Sequence, residues 1–276
     1  MRLLLIAPGY LPYTFSENLC NGKLVYAMYK KGWHVDVLSK VDEGPAYSNE
    51  WTEPWLPLKK NNITVTYPVG GKLTRMWDVL RSSVKLGMYP EGGVRWACRA
   101  YELAFKLCKE NHYDAVLTRS PSDIPHIIGL RLKEKLGIRW IANWNDPAAP
   151  IWPEPYTHHF STKEQTRKDQ FTRMCLKGAD VNTFPSQSLL VHFTSHYPFL
   201  AELKTEVIPH IALVEDIVPR LKDKPANDKF RMCHSGNLSV ERNPELTFKA
   251  LRELIDEGFN KMEFSIMGHF NDYTTE

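Results

Sequence analysis

Residues 113–147 read YDAVLTRSPSDIPHIIGLRLKEKLGIRWIANWNDP, and the architecture follows from this stretch. Two short apolar runs, 115–118 and 140–142, flank a segment that ends at Gly137 after two lysines, a normal helix C-terminus. Runs that are apolar without alternation are typical of strands buried on both faces of a parallel sheet. The stretch therefore predicts a strand, a helix and a second, parallel strand.

The same unit repeats on both sides of this stretch, at intervals of about 25 to 40 residues, and the repetition predicts an α/β, doubly wound, Rossmann-like parallel sheet. The predicted strands are 3–7, 35–38, 63–66, 115–118, 140–142, 181–184, 206–208, 231–233 and 263–267. The clearest helical patterns are 18–31, 72–88, 94–108, 124–136, 187–196 after an N-cap at Ser186, and 244–257.

This spacing predicts one complete domain and part of another. Seven strands fall in a first domain, residues 1–212, and a charged stretch with two prolines, 213–229, is predicted as a linker. The remaining 230–276 hold one βαβ unit, an incomplete second Rossmann-like domain. Because one such unit leaves strand edges uncovered, we expect the chain to stop within a domain and the incomplete sheet to favour self-association.

Composition and charge exclude several classes of protein. The 276 residues are 43% apolar and 24% charged, as in soluble globular domains. Lys and Arg number 35 against 32 Asp and Glu, and a formal net charge of +3 does not predict a nucleic-acid partner. No stretch approaches the roughly 18 apolar residues of a membrane span.

The cysteines predict neither a disulfide framework nor a zinc site. They number five, and none forms a CxxC pair. Histidines show no HExxH spacing either, so we predict no metal. Free thiols are typical of a reducing compartment, and we predict a cytoplasmic location. The cysteines are Cys20, Cys98, Cys108, Cys175 and Cys233.

The segment after the first strand lacks the glycine spacing of a dinucleotide site. Residues 7–22 read APGYLPYTFSENLCNG, without GxGxxG, so no nicotinamide cofactor is predicted, nor any other cofactor. Loops this long are often functional, and we predict that Gly9 and Tyr10 face a substrate. A packed surface loop is the alternative.

Five blocks, in this order, resemble successive landmarks of group 1 (family 4) glycosyltransferases. The blocks are LLLIAPGYLP at 3–12, GWHVDVLS at 32–39, the stretch 113–147, GADVNTFPS at 178–186 with TEVIPHI at 205–211, and HSGNLSVERNPE at 234–245. The resemblance implies a GT-B architecture of two Rossmann-like domains. It further implies that the first domain binds the acceptor and the second mainly the nucleotide-sugar donor.

The resemblance also implies an acidic residue after the strand 140–142, and Asp146 matches the family's Asp-Pro. Asn145 stands where many relatives carry histidine, and Glu17 and Asn18 stand where relatives often place a glycine pair. A carboxylate at the carboxyl end of a parallel strand faces the ligand crevice. Asp146 would orient an acceptor hydroxyl or act as a base. The alternative is a residue that only caps the turn before Pro147.

On the donor side, the resemblance implies a diphosphate site. Gly236 and Asn237 follow a predicted strand, and Arg242 lies where the family uses Lys or Arg on the donor diphosphate. Fixed positive charge and helix-terminal N–H groups stabilise a departing diphosphate. The alternatives are a solvated surface arginine and, for His234, a packed strand-end histidine. The family's later glutamate pair is absent before Glu276.

Residues 72–88 carry an apolar stripe, with Trp77 in it, flanked by lysines and arginines. A basic amphipathic helix of this kind is typical of peripheral contact with an anionic membrane. An apolar stripe more often belongs to a core helix, and the sequence leaves both interpretations open.

The family resemblance implies a glycosyltransferase of polysaccharide biosynthesis, and we expect it to act at or near the inner face of the membrane. It would transfer a hexose-like unit from a nucleotide sugar to a glycan or lipid-linked glycan hydroxyl, with retention of configuration by analogy. We expect residues 1–276 alone to be weakly active or inactive, since the glutamate pair is missing. The alternative is a non-catalytic module that binds a glycan or a partner.

Overall fold

The computed structural model describes most of the chain, in two compact units. The first comprises Met1–Pro153 and Thr157–Pro219, and the second Glu154–Tyr156 and Arg220–Glu276. The described residues are 1–13, 16–40, 50–66, 71–87, 94–120, 124–154, 156–157, 159–212, 229–236, 238 and 244–267. The predicted linker 213–229 lies outside them except for Lys229, so the predicted domain boundaries stay a prediction.

The first unit is built on a seven-stranded parallel sheet in the order β3-β2-β1-β4-β5-β6-β7. Its continuous apolar runs explain the arrangement, because strands such as β1 and β4 are buried along their length, on both faces. The strands are β1 Arg2–Ile6, β2 His34–Lys40, β3 Asn62–Val65, β4 Ala115–Arg119, β5 Trp140–Asn143, β6 Val181–Phe184 and β7 Thr205–Val207.

Helices cover both faces of this sheet. They are α1 Ser16–Lys30, α2 Lys72–Leu86, α3 Val94–Glu110, α4 Ile124–Leu136, α5 Thr162–Gly178 and α6 Gln187–His196, with short 3₁₀ helices η1 Leu56–Asn61, η2 Ala149–Ile151 and η3 Pro198–Glu202. The segments α1 and η1 pack on one face. The helices α3, α4, α5 and α6 supply the core on the other.

The fold class predicted from the sequence is confirmed, and so are all nine strands. The helix predicted at 72–88 ends at Leu86, where Gly87 takes a positive φ of 66°. Ser186 caps α6 as predicted, because its side chain accepts the Leu189 N–H. The capped helix α5, with Ser161 and Glu164 bonding reciprocally, was not predicted.

A buried chain of hydrogen bonds joins side chains of β4, β5 and α4 within the main core. The Trp140 Nε1–H donates to Thr118 Oγ1 at 2.8 Å, and the same hydroxyl lies 2.8 Å from His126 Nδ1. All three residues are fully buried. Burial lowers the pKa of His126 to about 3, so the imidazole is neutral, as an interior position requires.

Beside α1, the sheet face over β4, β5 and β6 is incompletely covered. It forms an apolar groove of about 370 Å³ whose floor includes Leu117, Ile141 and Val181. The groove ends at Arg119 and His210, at the carboxyl edge of the sheet.

The second unit contains a two-stranded parallel sheet of β8 Phe230–Ser235 and β9 Met262–Met267, joined by α7 Glu245–Asp256. The register runs from Phe230 beside Met262 to Ser235 beside Met267. No residue of α7 is buried. This unit is the predicted βαβ, and self-association through its sheet stays a prediction.

We expect Gly129→Ala to destabilise the first unit by about 2 kcal/mol, because a Cβ at position 129 would lie 2.1 Å from Trp140 Nε1. Urea unfolding measures the change. As a control, Lys135→Ala replaces an exposed side chain of the same helix and should change stability by less than about 0.5 kcal/mol. Equal stability of both variants would contradict the close packing of α4 on Trp140.

Candidate functional site

Three segments of the first unit meet at the carboxyl edge of the sheet, with Asn145 at their centre. The Asn145 Nδ2–H donates to Glu17 Oε2 at 2.6 Å, and its Oδ1 accepts from Arg119 Nη2 at 2.8 Å. Its backbone N–H donates to Ser120 Oγ at 2.7 Å. Asn145 thus joins the first turn of α1, the carboxyl end of β4 and its own segment after β5.

Asp146 follows directly, and its environment favours the protonated acid. Burial raises the pKa of Asp146, while the nearby His210 and Arg119 oppose that rise. A carboxylate with a raised pKa is a stronger proton acceptor than an exposed aspartate. The residue is half-buried, so it remains open to a ligand.

Glu17 is a second carboxylate with a raised pKa. Burial is the main cause, Asp146 adds to it, and Arg119 with the side-chain amides of Asn145 and Asn21 opposes it. Its place in the first turn of α1 favours negative charge, because the helix N-terminus is electropositive. Two carboxylates therefore face one cation in a partly desolvated site.

That cation is Arg119, which is 5% exposed. Burial lowers the pKa of its guanidinium, and Glu17, Cys20 and Asp146 counter this effect. An arginine stays charged even when its pKa falls, so the site keeps a buried positive charge. Its Nε is buried and has no hydrogen-bond partner among the described residues.

His210, after β7, completes the edge. Its pKa is lowered by partial burial and then by Arg119 and Lys23, although Asp146 raises it. At neutral pH the imidazole is therefore uncharged and can donate or accept a hydrogen bond.

The predicted site residues near α1 serve mainly to fix the loop after β1. The Asn18 Nδ2–H donates to the Tyr10 carbonyl at 2.9 Å, and Asn21 Nδ2–H donates to the Gly9 carbonyl at 2.7 Å. A Cβ at Gly9 would lie 2.4 Å from Asn18 Oδ1. Tyr10 is 1% exposed and packs 6.2 Å from the Trp51 ring. The described part of this loop is packed, and the substrate contacts predicted for Gly9 and Tyr10 stay predictions.

Buried contacts of Trp144 and Asn143 hold the segment around the end of β5 in place. Trp144 is fully buried, donates through Nε1 to Asn182 Oδ1 at 2.9 Å, and lies 4.2 Å from the His126 ring. Asn143 Nδ2 donates to Thr183 Oγ1 at 2.8 Å. These contacts fix the backbone that presents Asn145 and Asp146.

The donor-side residues lie in the second unit. His234 is in β8, half-buried, and its Nε2 has no hydrogen-bond partner among the described residues. Gly236 has a φ of +148°, which favours glycine. Asn237 and Arg242 lie outside the described residues, so their roles stay predictions.

Sequence reasoning missed Arg119 and His210 as site residues. Both lie in blocks that carry the family resemblance. Arg119 ends β4 and His210 follows β7, and the carboxyl ends of these parallel strands share one edge. Applying that rule to β4 and β7 would have found them. Among the described residues, no group of three His, Cys, Asp or Glu side chains could hold a metal, and no helix could cross a membrane.

The sequence matches no protein-family model and no curated protein. Solved structures are similar in fold. A UDP-N-acetylglucosamine 2-epimerase from Listeria monocytogenes is 12% identical, with a TM-score of 0.51 over 98% of this chain and 63% of that one. The catalytic domain of starch synthase IV from Arabidopsis thaliana, bound to ADP and acarbose, is 10% identical. Its TM-score is 0.52 over 98% of this chain and 68% of that one.

The lipopolysaccharide outer core galactosyltransferase WaaB is 13% identical, with a TM-score of 0.52 over 99% of this chain and 62% of its own. The chain therefore spans about two thirds of the length of these structures. At such identities the likeness concerns the fold alone. The chain has the Rossmann-like α/β fold that GT-B enzymes share.

Proposed function

We propose that this chain is a glycosyltransferase that moves a sugar from a nucleotide sugar to a hydroxyl of a glycan or lipid-linked glycan. The observation that carries the proposal is the carboxyl-edge site, where Asp146 stands open beside the buried Arg119 and the neutral His210. The first unit would bind the acceptor there.

In this proposal Asp146 accepts a hydrogen bond from the acceptor hydroxyl. As the hydroxyl oxygen bonds to the anomeric carbon, the bond from that carbon to the diphosphate oxygen breaks and the hydroxyl proton leaves. The raised pKa of Asp146 suits it to orient the hydroxyl and to receive that proton. His210 and Arg119 limit the rise of this pKa.

Asn145 would act by positioning. It has no titratable group, yet its amide links Glu17 to Arg119 and its backbone is adjacent to Asp146. Many relatives of the resembled family carry histidine at this position. This chain therefore has an uncharged residue there that does not titrate. We infer that the proton chemistry at this edge belongs to Asp146, with His210 as a neutral hydrogen-bond partner for the acceptor.

On the donor side, the proposal rests on the sequence. The loop that begins at Gly236 and the cation Arg242 would hold the diphosphate, which gains negative charge as the sugar departs. Transfer of a hexose-like unit and retention of configuration follow the family resemblance only.

Turnover by the full chain is the direct test. UDP, ADP and GDP sugars are each incubated with glycan and lipid-linked acceptors, and release of nucleoside diphosphate is measured with and without acceptor. Since we expect residues 1–276 alone to be weakly active at most, even slow acceptor-dependent release supports the proposal. Binding of the nucleotide without release would favour the non-catalytic module, and a changed sugar epimer without acceptor would favour an epimerase.

We expect Asp146→Asn to lower transfer by about 100-fold, because the amide cannot accept the proton. The same change should stabilise the chain at pH 7. Burial raises the folded-state pKa of Asp146, so the wild type loses free energy of unfolding as pH rises through that pKa, whereas the amide cannot ionise. Thermal unfolding between about pH 4 and 8 measures this.

Asp180→Asn is the matched control at the opposite edge of the sheet. Despite slight desolvation, the pKa of the exposed Asp180 is lowered by Lys133 and by the Trp140 N–H, both at 2.8 Å. Its carboxylate stabilises the fold above its unfolded pKa, so the amide should destabilise at pH 7. A loss of stability at pH 7 in both variants would contradict the environment assigned to Asp146.

We expect Arg119→Met to cost about 3 kcal/mol of unfolding free energy near pH 7.5 and clearly less near pH 5. Without the cation, the pKa values of Glu17 and Asp146 rise further, and protonation at low pH relieves the unpaired charge. Denaturant unfolding at both pH values measures the difference. Arg131→Met is the control, at a part-buried arginine that donates to the Leu86 carbonyl and to Glu134. It should lose the same unfolding free energy at both pH values. A pH-independent loss for Arg119→Met would contradict this role.

For the donor side, Arg242→Ala should weaken binding of the matching nucleoside diphosphate by about tenfold in calorimetric titration. Arg252→Ala is the control, since Arg252 is exposed on α7 and pairs with Asp256. Equal affinities for both variants and the wild type would remove Arg242 from the diphosphate site.

A further inference from the structure

Helix α2 presents its apolar face to solvent. Five large apolar side chains lie at positions i, i+3, i+4, i+7 and i+11, which places them on one side of a helix. They are Leu73 at 73% exposure, Met76 at 60%, Trp77 at 66%, Leu80 at 53% and Val84 at 78%. The structure thus excludes the alternative that this stripe is part of the core of the first unit.

The inward face of α2 is polar in its middle. Asp78 is 7% exposed, and its carboxylate accepts from Arg95 Nε at 2.8 Å and lies 3.7 Å from Arg99. Ser82 is fully buried, and its hydroxyl donates to the Asp78 carbonyl. The helix is therefore inverted relative to a surface helix of a soluble domain, which buries its apolar stripe.

Ion pairs fix α2 in this orientation. Arg81 and Lys85 both bind the Glu102 carboxylate on α3. Asp78 pairs with two arginines of α3, Arg95 and Arg99. Rolling α2 to bury Trp77 would break these pairs and leave Asp78 without its partners. The pairs therefore favour the outward orientation of the apolar face.

We propose that α2 docks the protein on the surface of an anionic lipid bilayer. Charge indicates the occupant: Lys72 and Arg81 lie on either side of the apolar face. Lys72 and the exposed Arg75 of the same helix have no carboxylate partner among the described residues. Arg81 shares the Glu102 carboxylate with Lys85. An apolar face with tryptophan and a basic rim matches the acyl boundary and phosphate layer of such a bilayer.

The geometry fits a helix lying in the membrane plane. With 15 residues, α2 is about 22 Å long, too short and too charged to span. A second copy of the chain is a poorer partner, because two basic rims would face each other. This inference needs no sugar chemistry, so it stands or fails independently of the proposed function.

Vesicle co-sedimentation of the full chain tests the proposal. We expect binding to vesicles of phosphatidylcholine with about 30% phosphatidylglycerol, weaker binding to phosphatidylcholine alone, and partial release by salt. Trp77→Ser with Leu80→Ser should lower the partition coefficient at least about tenfold. Lys72→Glu with Arg75→Glu should remove the preference for anionic vesicles.

The matched control changes two apolar residues exposed elsewhere on the first unit, Met174→Ser with Val191→Ser, and should bind as the wild type does. Thermal unfolding of each variant within about 3 °C of the wild type shows that the fold is intact. Trp77→Phe should keep binding but lose the vesicle-induced blue shift of tryptophan fluorescence. That shift separates insertion of this face from general adsorption.

Three results would overturn the proposal. The first is wild-type binding that is equal for neutral and anionic vesicles, or absent for both. The second is full binding by the Trp77→Ser, Leu80→Ser variant. The third is a dimer in sedimentation that this variant abolishes, which would assign the face to a second copy.

Discussion

All seven strands of the first unit run parallel, and the candidate site depends on this one constraint. A parallel sheet ends every strand at the same edge, so residues far apart in the chain meet there. Glu17 and Asn145 are separated by 128 positions yet share a hydrogen bond. Only a continuous, two-sided core holds such an edge in register, which is why the buried Trp144 and its bond to Asn182 matter to the chemistry as much as to stability.

The electrostatics of this edge follow from burial more than from pairing. Arg119 lies among two carboxylates, yet the pKa values of Glu17 and Asp146 are raised, because desolvation outweighs attraction to one guanidinium. A surface ion pair would give the opposite sign, as at Asp180, whose pKa is lowered. An edge devoted only to stability would pair its carboxylates as Asp180 is paired. The contrast within one sheet supports a functional site at its carboxyl edge.

The sequence predicted the sheet well because continuous apolar runs report burial on both faces directly. It predicted Asp146, Asn145 and Glu17 as site residues, and these prove to be neighbours. It did not identify Arg119 or His210, since neither stands out by type or spacing and only their places at the carboxyl ends of parallel strands mark them. The hydrogen bonds around Asn145 depend on side-chain geometry, which hydrophobic periodicity does not predict.

Helix α2 shows where a hydrophobic pattern is ambiguous in principle. A stripe at helical spacing has the same sequence signature whether it faces a core or a membrane, so the outward face of Trp77 could be learned only from the partners of Asp78. A buried ion pair contributes little net stability compared with apolar packing of the same volume, because both charges must leave water. If α2 buried its apolar stripe, the isolated first unit would therefore be more stable. The inverted arrangement is consistent with a contact beyond the unit, since only there does the exposed apolar face leave water.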